Sequence, residues 1–170
     1  MPTARATKRK TKAARTPAVR AQKLAGGDLL TLSGLTAETI LAIFRTAAKV
    51  KKNPRAFRKA LDGVTAVLLF EKASLRTRIT FETGIGMLGG RAIYMDHSTQ
   101  RLGERESVKD YGRNLERWVQ CIIARVYSQS VVEELAGAAS VPVINALSNR
   151  FHPCQGLADL FTVWQRPGGL

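Results

Sequence analysis

The chain has 170 residues and a formal charge of +14, enough length for one ordinary domain. More than half of that excess lies in residues 1–23, which hold eight Lys and Arg and no acid. No stretch approaches the ~18 apolar residues of a membrane span, and two cysteines, Cys121 and Cys154, exclude a disulfide framework or a metal-ligand spacing.

Residues 1–24 carry almost no large apolar side chain, so ordering them would bury too little surface to offset the lost entropy; they are expected to be a disordered basic extension. Three roles stay open for it: an organelle transit peptide, a nucleic-acid-binding arm, or a solvated extension without a partner, which is the usual fate of charge runs. From residue 25 to about 165 the composition is globular, and a body of roughly 145 residues can bury about two-thirds of its unfolded surface.

Along that body, Thr36 caps a helix running to about Lys52 with the stripe Ile40, Leu41, Phe44, Ala48, and Asn53-Pro54 ends it. Val64–Phe70 is a short, β-rich run too apolar for a half-exposed strand, the mark of a strand covered on both faces. A helix from Leu75 to Leu88 presents Ile79, Phe81, Ile85 and Leu88 and stops at Gly89-Gly90. A strand follows at Ala92–Met95, then a helix from about Glu106 to Trp118 with Val108, Tyr111, Leu115 and Trp118 at helical spacing. Cys121–Val126 is the third strand, and Ser130 to Glu133 reads as a capping box opening a helix to about Ala139. Val141–Asn145 is the fourth strand, with Pro142 at its start, and the last helix spans about Cys154 to Gln165. Strands alternating with helices predict an α/β fold, a parallel four-stranded sheet with helices on both faces, which binds ligands at the carboxyl ends of its strands.

Those ends are polar. The first leads into Ser74-Leu-Arg76-Thr77-Arg78 at a helix N-terminus, where free N–H groups, hydroxyls and forked guanidinium groups favour an anion; a merely capping Ser74 with solvated arginines is the alternative. There is no glycine-rich phosphate loop. The second strand leads to a long loop containing Arg101, the third ends at Arg125, and the fourth leads to His152-Pro-Cys-Gln155. Hydroxyls, arginines, a histidine and a glutamine thus converge on one edge.

Phe70-Glu-Lys-Ala-Ser-Leu-Arg-Thr-Arg-Ile-Thr-Phe-Glu82 and Phe151-His-Pro-Cys-Gln-Gly-Leu-Ala-Asp159, with Glu106–Asp110 and Arg125 between them, resemble the paired signatures of the aspartate/ornithine carbamoyltransferase family over about residues 27–165. Phe-Glu-Lys and Phe-His-Pro-Cys-Gln lean to its ornithine branch. The resemblance implies that Ser74, the backbone at Leu75, Arg76 and Thr77 hold the phosphate of carbamoyl phosphate. It implies further that Arg125, His152 and Thr77 contact the carbamoyl oxygen and Gln155 the carbamoyl nitrogen, with no metal and no organic cofactor. The implied reaction is carbamoyl transfer to the side-chain amine of ornithine, giving citrulline and phosphate; aspartate or another amine is the alternative acceptor. Leu75 stands where the family more often has threonine, and Arg101 where it often has a glutamine that reaches the neighbouring subunit's site in a trimer; Arg101 would meet phosphate or face solvent. Cys154 reads as a packing residue, since no base accompanies it.

The family's second domain, which carries the amine-binding residues, is expected to be absent from these 170 residues, so the ornithine site would lie outside them. The expected partners are therefore carbamoyl phosphate and, at full length, a homotrimer, with no membrane and with nucleic acid only through the tail. The expected product is a truncated chain that binds carbamoyl phosphate without turnover, in the cytoplasm, with a mitochondrial matrix left open by the tail. A remnant that keeps only the fold, or a basic nucleic-acid-binding protein, are the readings from other classes.

Overall fold

The computed structural model describes residues 27–168; the expected extension over residues 1–24 lies outside the described residues. Four parallel strands, β1 (Thr65–Phe70), β2 (Arg91–Asp96), β3 (Cys121–Arg125) and β4 (Val143–Leu147), stand in the order β2-β1-β3-β4. Each crossover is a helix: α2 (Leu75–Met87), α3 (Val108–Leu115) and α4 (Gln129–Ala138), with α1 (Ala37–Lys52) before the sheet and α5 (Pro153–Trp164) after it. The expected α/β sheet is therefore present, and the chain reverses its winding direction between β1 and β3.

The strands are central because both their faces are apolar. Val67, Leu69, Ile122, Ala124, Val126 and Val143 pack with Val108, Leu115, Val132 and Leu135 of α3 and α4 on one face. Ala66, Leu68, Phe70, Ile123 and Ala146 pack with Ile85 of α2 on the other. Gly112 lets α3 and α4 approach: a Cβ there would sit 3.2 Å from that of Ala138. Gly89, at φ +91°, turns the chain from α2 into β2 where any Cβ would strike the carbonyl of Arg58. Outside these layers Phe44 of α1 meets Phe161 and Trp164 of α5 at ring-centroid distances of 5.5 and 5.7 Å.

Thr36 caps α1 as expected, accepting the Thr39 N–H at 3.2 Å. Three expectations need correction. The third helix is shorter than Glu106–Trp118, because Ser107 caps it and its end tightens through bonds such as Trp118 N–H to Leu115 C=O at 2.9 Å. Trp118 therefore leaves the buried stripe and is 71% exposed. Ser128, not Ser130, caps α4, so the capping box does not form: the Glu133 carboxylate instead accepts from the side chain of Gln129, one turn before it. The last strand starts at Val143 rather than Val141, since the Val143 N–H goes out to the Asp28 carboxylate at 2.7 Å and pairing with β3 begins at Val143.

One pairing has no signal in the sequence: Leu29 makes a parallel bridge to Ile144, with Leu29 N–H to Val143 C=O and Asn145 N–H to Leu29 C=O, both at 2.9 Å. It covers the β4 edge of the sheet.

Candidate functional site

At the carboxyl ends of β1 and β3, where the winding reverses, a doubly wound sheet opens a crevice for a ligand. Here β1 exits into α2, whose N-cap is Ser74 at φ −159°. The Ser74 Oγ accepts the Thr77 N–H at 3.4 Å and donates to Thr77 Oγ1 at 2.9 Å, leaving the first-turn N–H groups of Leu75 and Arg76 at the positive end of the helix.

Arg125 is the last residue of β3 and reaches across to this turn. Its Nε donates to the Lys72 carbonyl at 3.2 Å and its Nη1 to Thr77 Oγ1 at 3.4 Å. Partial burial pulls its pKa down from the ordinary arginine value, a group still cationic at neutral pH. From the fourth strand end, His152 caps α5, and its Nδ1 accepts the Gln155 N–H at 3.4 Å. With Nδ1 an acceptor, the neutral ring carries its proton on Nε2. The Gln155 amide nitrogen donates to Asp159 at 2.8 Å, which leaves the amide oxygen free as an acceptor.

These side chains share one cleft of about 430 Å³, lined by Ser74, Arg76, Thr77, Thr80, Phe81, Arg125, Leu147, His152, Cys154, Gln155 and Ala158. Six of the expected site residues, Ser74, Arg76, Thr77, Arg125, His152 and Gln155, are thus brought together. Leu75 is not among the lining: its side chain is 75% exposed, so only its backbone can serve. Arg101 is not there either; its guanidinium lies over the ring of Tyr127 at 4.4 Å, with the Lys72 ammonium over the same ring at 4.7 Å. Burial pushes the Cys154 thiol up to about 11, and its Sγ–H points to the Asn145 carbonyl at 3.5 Å, which suits packing and not nucleophilic attack. Among the described residues no group of His, Cys, Asp and Glu is placed to hold a metal ion.

Three features of the site escape sequence reasoning. Thr80, one turn on from Arg76, adds a hydroxyl to the cleft. Asn145, fully buried, donates to Leu30 C=O at 2.9 Å and to Gln129 at 3.1 Å, while Ser148 donates to Gln129 at 2.7 Å and so anchors the turn before His152. Glu71 is buried directly after an apolar strand, and an acid in that place is the one signal that could have drawn notice.

His152 is expected to be neutral at pH 7. Burial holds its pKa below the ordinary 6.5, the Arg125 charge adds to this, and Asp159 opposes it. Because the folded value lies below the unfolded one, the unfolded chain binds the proton first as pH falls through 6.5. This group's contribution to stability is therefore complete above 6.5 and declines as pH falls through the folded value. An NMR titration of the imidazole, assigned with His152→Ala, should give a midpoint under 6.5; a midpoint above it would contradict this environment.

The geometry has close counterparts. The family model "Aspartate/ornithine carbamoyltransferase, carbamoyl-P binding domain" matches residues 27–165. An ornithine carbamoyltransferase of Shewanella oneidensis is 48% identical over 134 residues, 79% of this chain and 44% of that protein. The solved ornithine carbamoyltransferase of Pyrococcus furiosus superposes with a TM-score of 0.79 at 44% identity, over 83% of this chain and 46% of that one. The Thermus thermophilus structure gives 0.78 at 47%, over 84% and 50%. This chain thus spans about half the length of the relatives it matches.

Proposed function

Because the chain belongs to the aspartate/ornithine carbamoyltransferase family, we propose that its cleft holds carbamoyl phosphate for carbamoyl transfer to the side-chain amine of ornithine, giving citrulline and phosphate. The observation that supports this most is the meeting of Arg76, Thr77, Arg125, His152 and Gln155 around one cleft at the switch point of the sheet. In this reading the phosphate sits on the α2 N-terminus, held by the Leu75 and Arg76 N–H groups, the Ser74 and Thr77 hydroxyls and the Arg76 guanidinium. Arg125, Thr77 and the Nε2–H of His152 face the carbamoyl oxygen, and the Gln155 amide oxygen takes the carbamoyl N–H.

The chemistry follows from those roles. A neutral amine attacks the carbamoyl carbon, and negative charge grows on the carbonyl oxygen as the centre becomes tetrahedral. Donors already placed there need no reorganisation, and one such donor is typically worth roughly 3–4 kcal/mol of barrier. The C–O bond to phosphate then breaks, and the departing phosphate accepts the proton the amine gives up. No step requires a cofactor.

We assign the ornithine contacts to the part of the relatives' length that this chain does not span, so the decisive tests here are of binding. We further propose that the homotrimer implied by the family resemblance packs through α2, where Leu75, Ile79 and Met87 lie exposed. The cytoplasm is the proposed compartment; among the described residues no helix is long and apolar enough to cross a membrane.

Carbamoyl phosphate at ~100 times its dissociation constant should stabilise the chain by roughly 2.7 kcal/mol, several degrees in melting midpoint. Arg76→Ala should remove the shift. A folded wild-type chain with no shift would overturn the reading.

A further inference from the structure

Glu71 follows the last residue of β1 and is 3% exposed, yet no cation stands within ion-pair distance: the only salt bridge among the described residues is Arg78–Glu82. Backbone amides replace its water. Oε1 accepts the Leu102 N–H at 2.9 Å and Oε2 the Tyr127 N–H at 2.8 Å. The first amide belongs to the loop after β2 and the second to the exit of β3, so one carboxylate ties two loops that are far apart in sequence.

Each tied loop carries a cation. Arg101 directly precedes Leu102, and Arg125 stands two residues before Tyr127. The Arg101 guanidinium rests on the ring of Tyr127, the residue whose backbone Glu71 holds. Glu71 also donates its own N–H to the Arg125 carbonyl at 2.9 Å, and the carbonyl of the next residue, Lys72, accepts from Arg125 Nε at 3.2 Å. The carboxylate thus ties together segments that carry Lys72, Arg101 and Arg125.

We propose that Glu71 is a positioning residue: its two oxygens lock the β2 loop to the β3 exit, fixing the backbone from which Arg125 reaches into the cleft before an anion arrives. The geometry needs a carboxylate, because glutamine offers one acceptor oxygen and would turn an N–H donor toward a second N–H. This rests on the carbamoyl phosphate reading only for the identity of the anion.

The test is Glu71→Gln in the full chain, with carbamoyl phosphate as probe, read by calorimetric affinity and by amide hydrogen exchange. A folded variant should bind about tenfold or more weakly, the usual scale for stranding a buried donor. Exchange at Leu102 and Tyr127 should quicken while the amides within β1 and β4 keep their protection. Wild-type affinity together with unchanged exchange at those two amides overturns the proposal, as does wild-type affinity alone, since a purely structural clamp would leave binding intact. If the variant does not fold, the wild-type chain decides. Leu102 and Tyr127 amides protected in the ligand-free chain about as well as those within β1 support the proposal, and exchange of both at the rate of unbonded loop amides overturns it. A wild-type chain that ignores carbamoyl phosphate would instead sink the functional reading, and the clamp would be judged by the exchange of the variant alone.

Discussion

Arg125→Ala should weaken carbamoyl phosphate binding by at least about 30-fold, the low end of what truncating one partner of a charge-assisted, partly buried contact costs. Of the cleft's cations it is the one built into the sheet. Its backbone is paired with Leu147 of β4, and its side chain is aimed by the Lys72 carbonyl and the Thr77 hydroxyl. A cation held that way meets developing charge without first paying to become ordered, whereas the exposed Arg76 must order on binding. Removing it also frees Thr77 Oγ1 from one of its two donors, Ser74 remaining as the other. The fold should stand, because the apolar strand residues before it carry the packing. Isothermal calorimetry beside circular dichroism checks both halves of the expectation; a folded variant with affinity within threefold of wild type would refute the role. Arg125→Lys is the sharper companion. It keeps the charge but cannot reproduce the forked donation, so most of the loss should persist.

The largest effect on stability is expected at Phe44→Ala, on the order of 3–5 kcal/mol. Phe44 is 1% exposed and its ring joins α1 to α5 through Phe161 and Trp164. Little else is buried on α1, so the cavity would remove the contact that seats that helix. Since domains are commonly stable by only about 5–15 kcal/mol, the loss should lower the melting midpoint by on the order of 10 °C and increase the unfolded fraction measurably in urea. The site should be spared. The aromatic contacts lie near the far end of α5 from His152 and Gln155, so carbamoyl phosphate affinity per folded molecule should not change. A loss under about 1 kcal/mol would mean that α1 is seated by something other than this cluster.

The sheet is readable from sequence because its strands are apolar on both faces: Val64–Phe70 and Cys121–Val126 leave no room for a half-exposed alternative. The site is readable for a related reason, since each polar cluster directly follows such a run and the alternation of elements places all the ends on one edge. What sequence does not reveal depends on long-range geometry. Ser128 displaces Ser130 as a cap because the local cap signal is present twice within three residues. Trp118 looks like the next position of a helical stripe but falls where the last turn has already tightened. Arg101 could face phosphate or solvent by sequence alone; in the fold it faces an aromatic ring that no spacing rule would put beside it. Glu71 and Asn145 matter through partners that only tertiary structure brings near.

The bridge between Leu29 and Ile144 bears on how the protein is made. Asp28 and Leu30 contact Val143 and Asn145 across 115 positions, so the first described residues to leave a ribosome must wait for the last strand before their backbone is satisfied. At synthesis rates of about 5–20 residues per second, that wait is on the order of ten seconds, far longer than local helices need to form. Until then β4, the partner of Leu29, is missing, and that edge of the sheet cannot be sealed. Closure of the sheet is thus tied to the arrival of the same segment that delivers His152 and Gln155, so that the finished edge and the finished cleft emerge together.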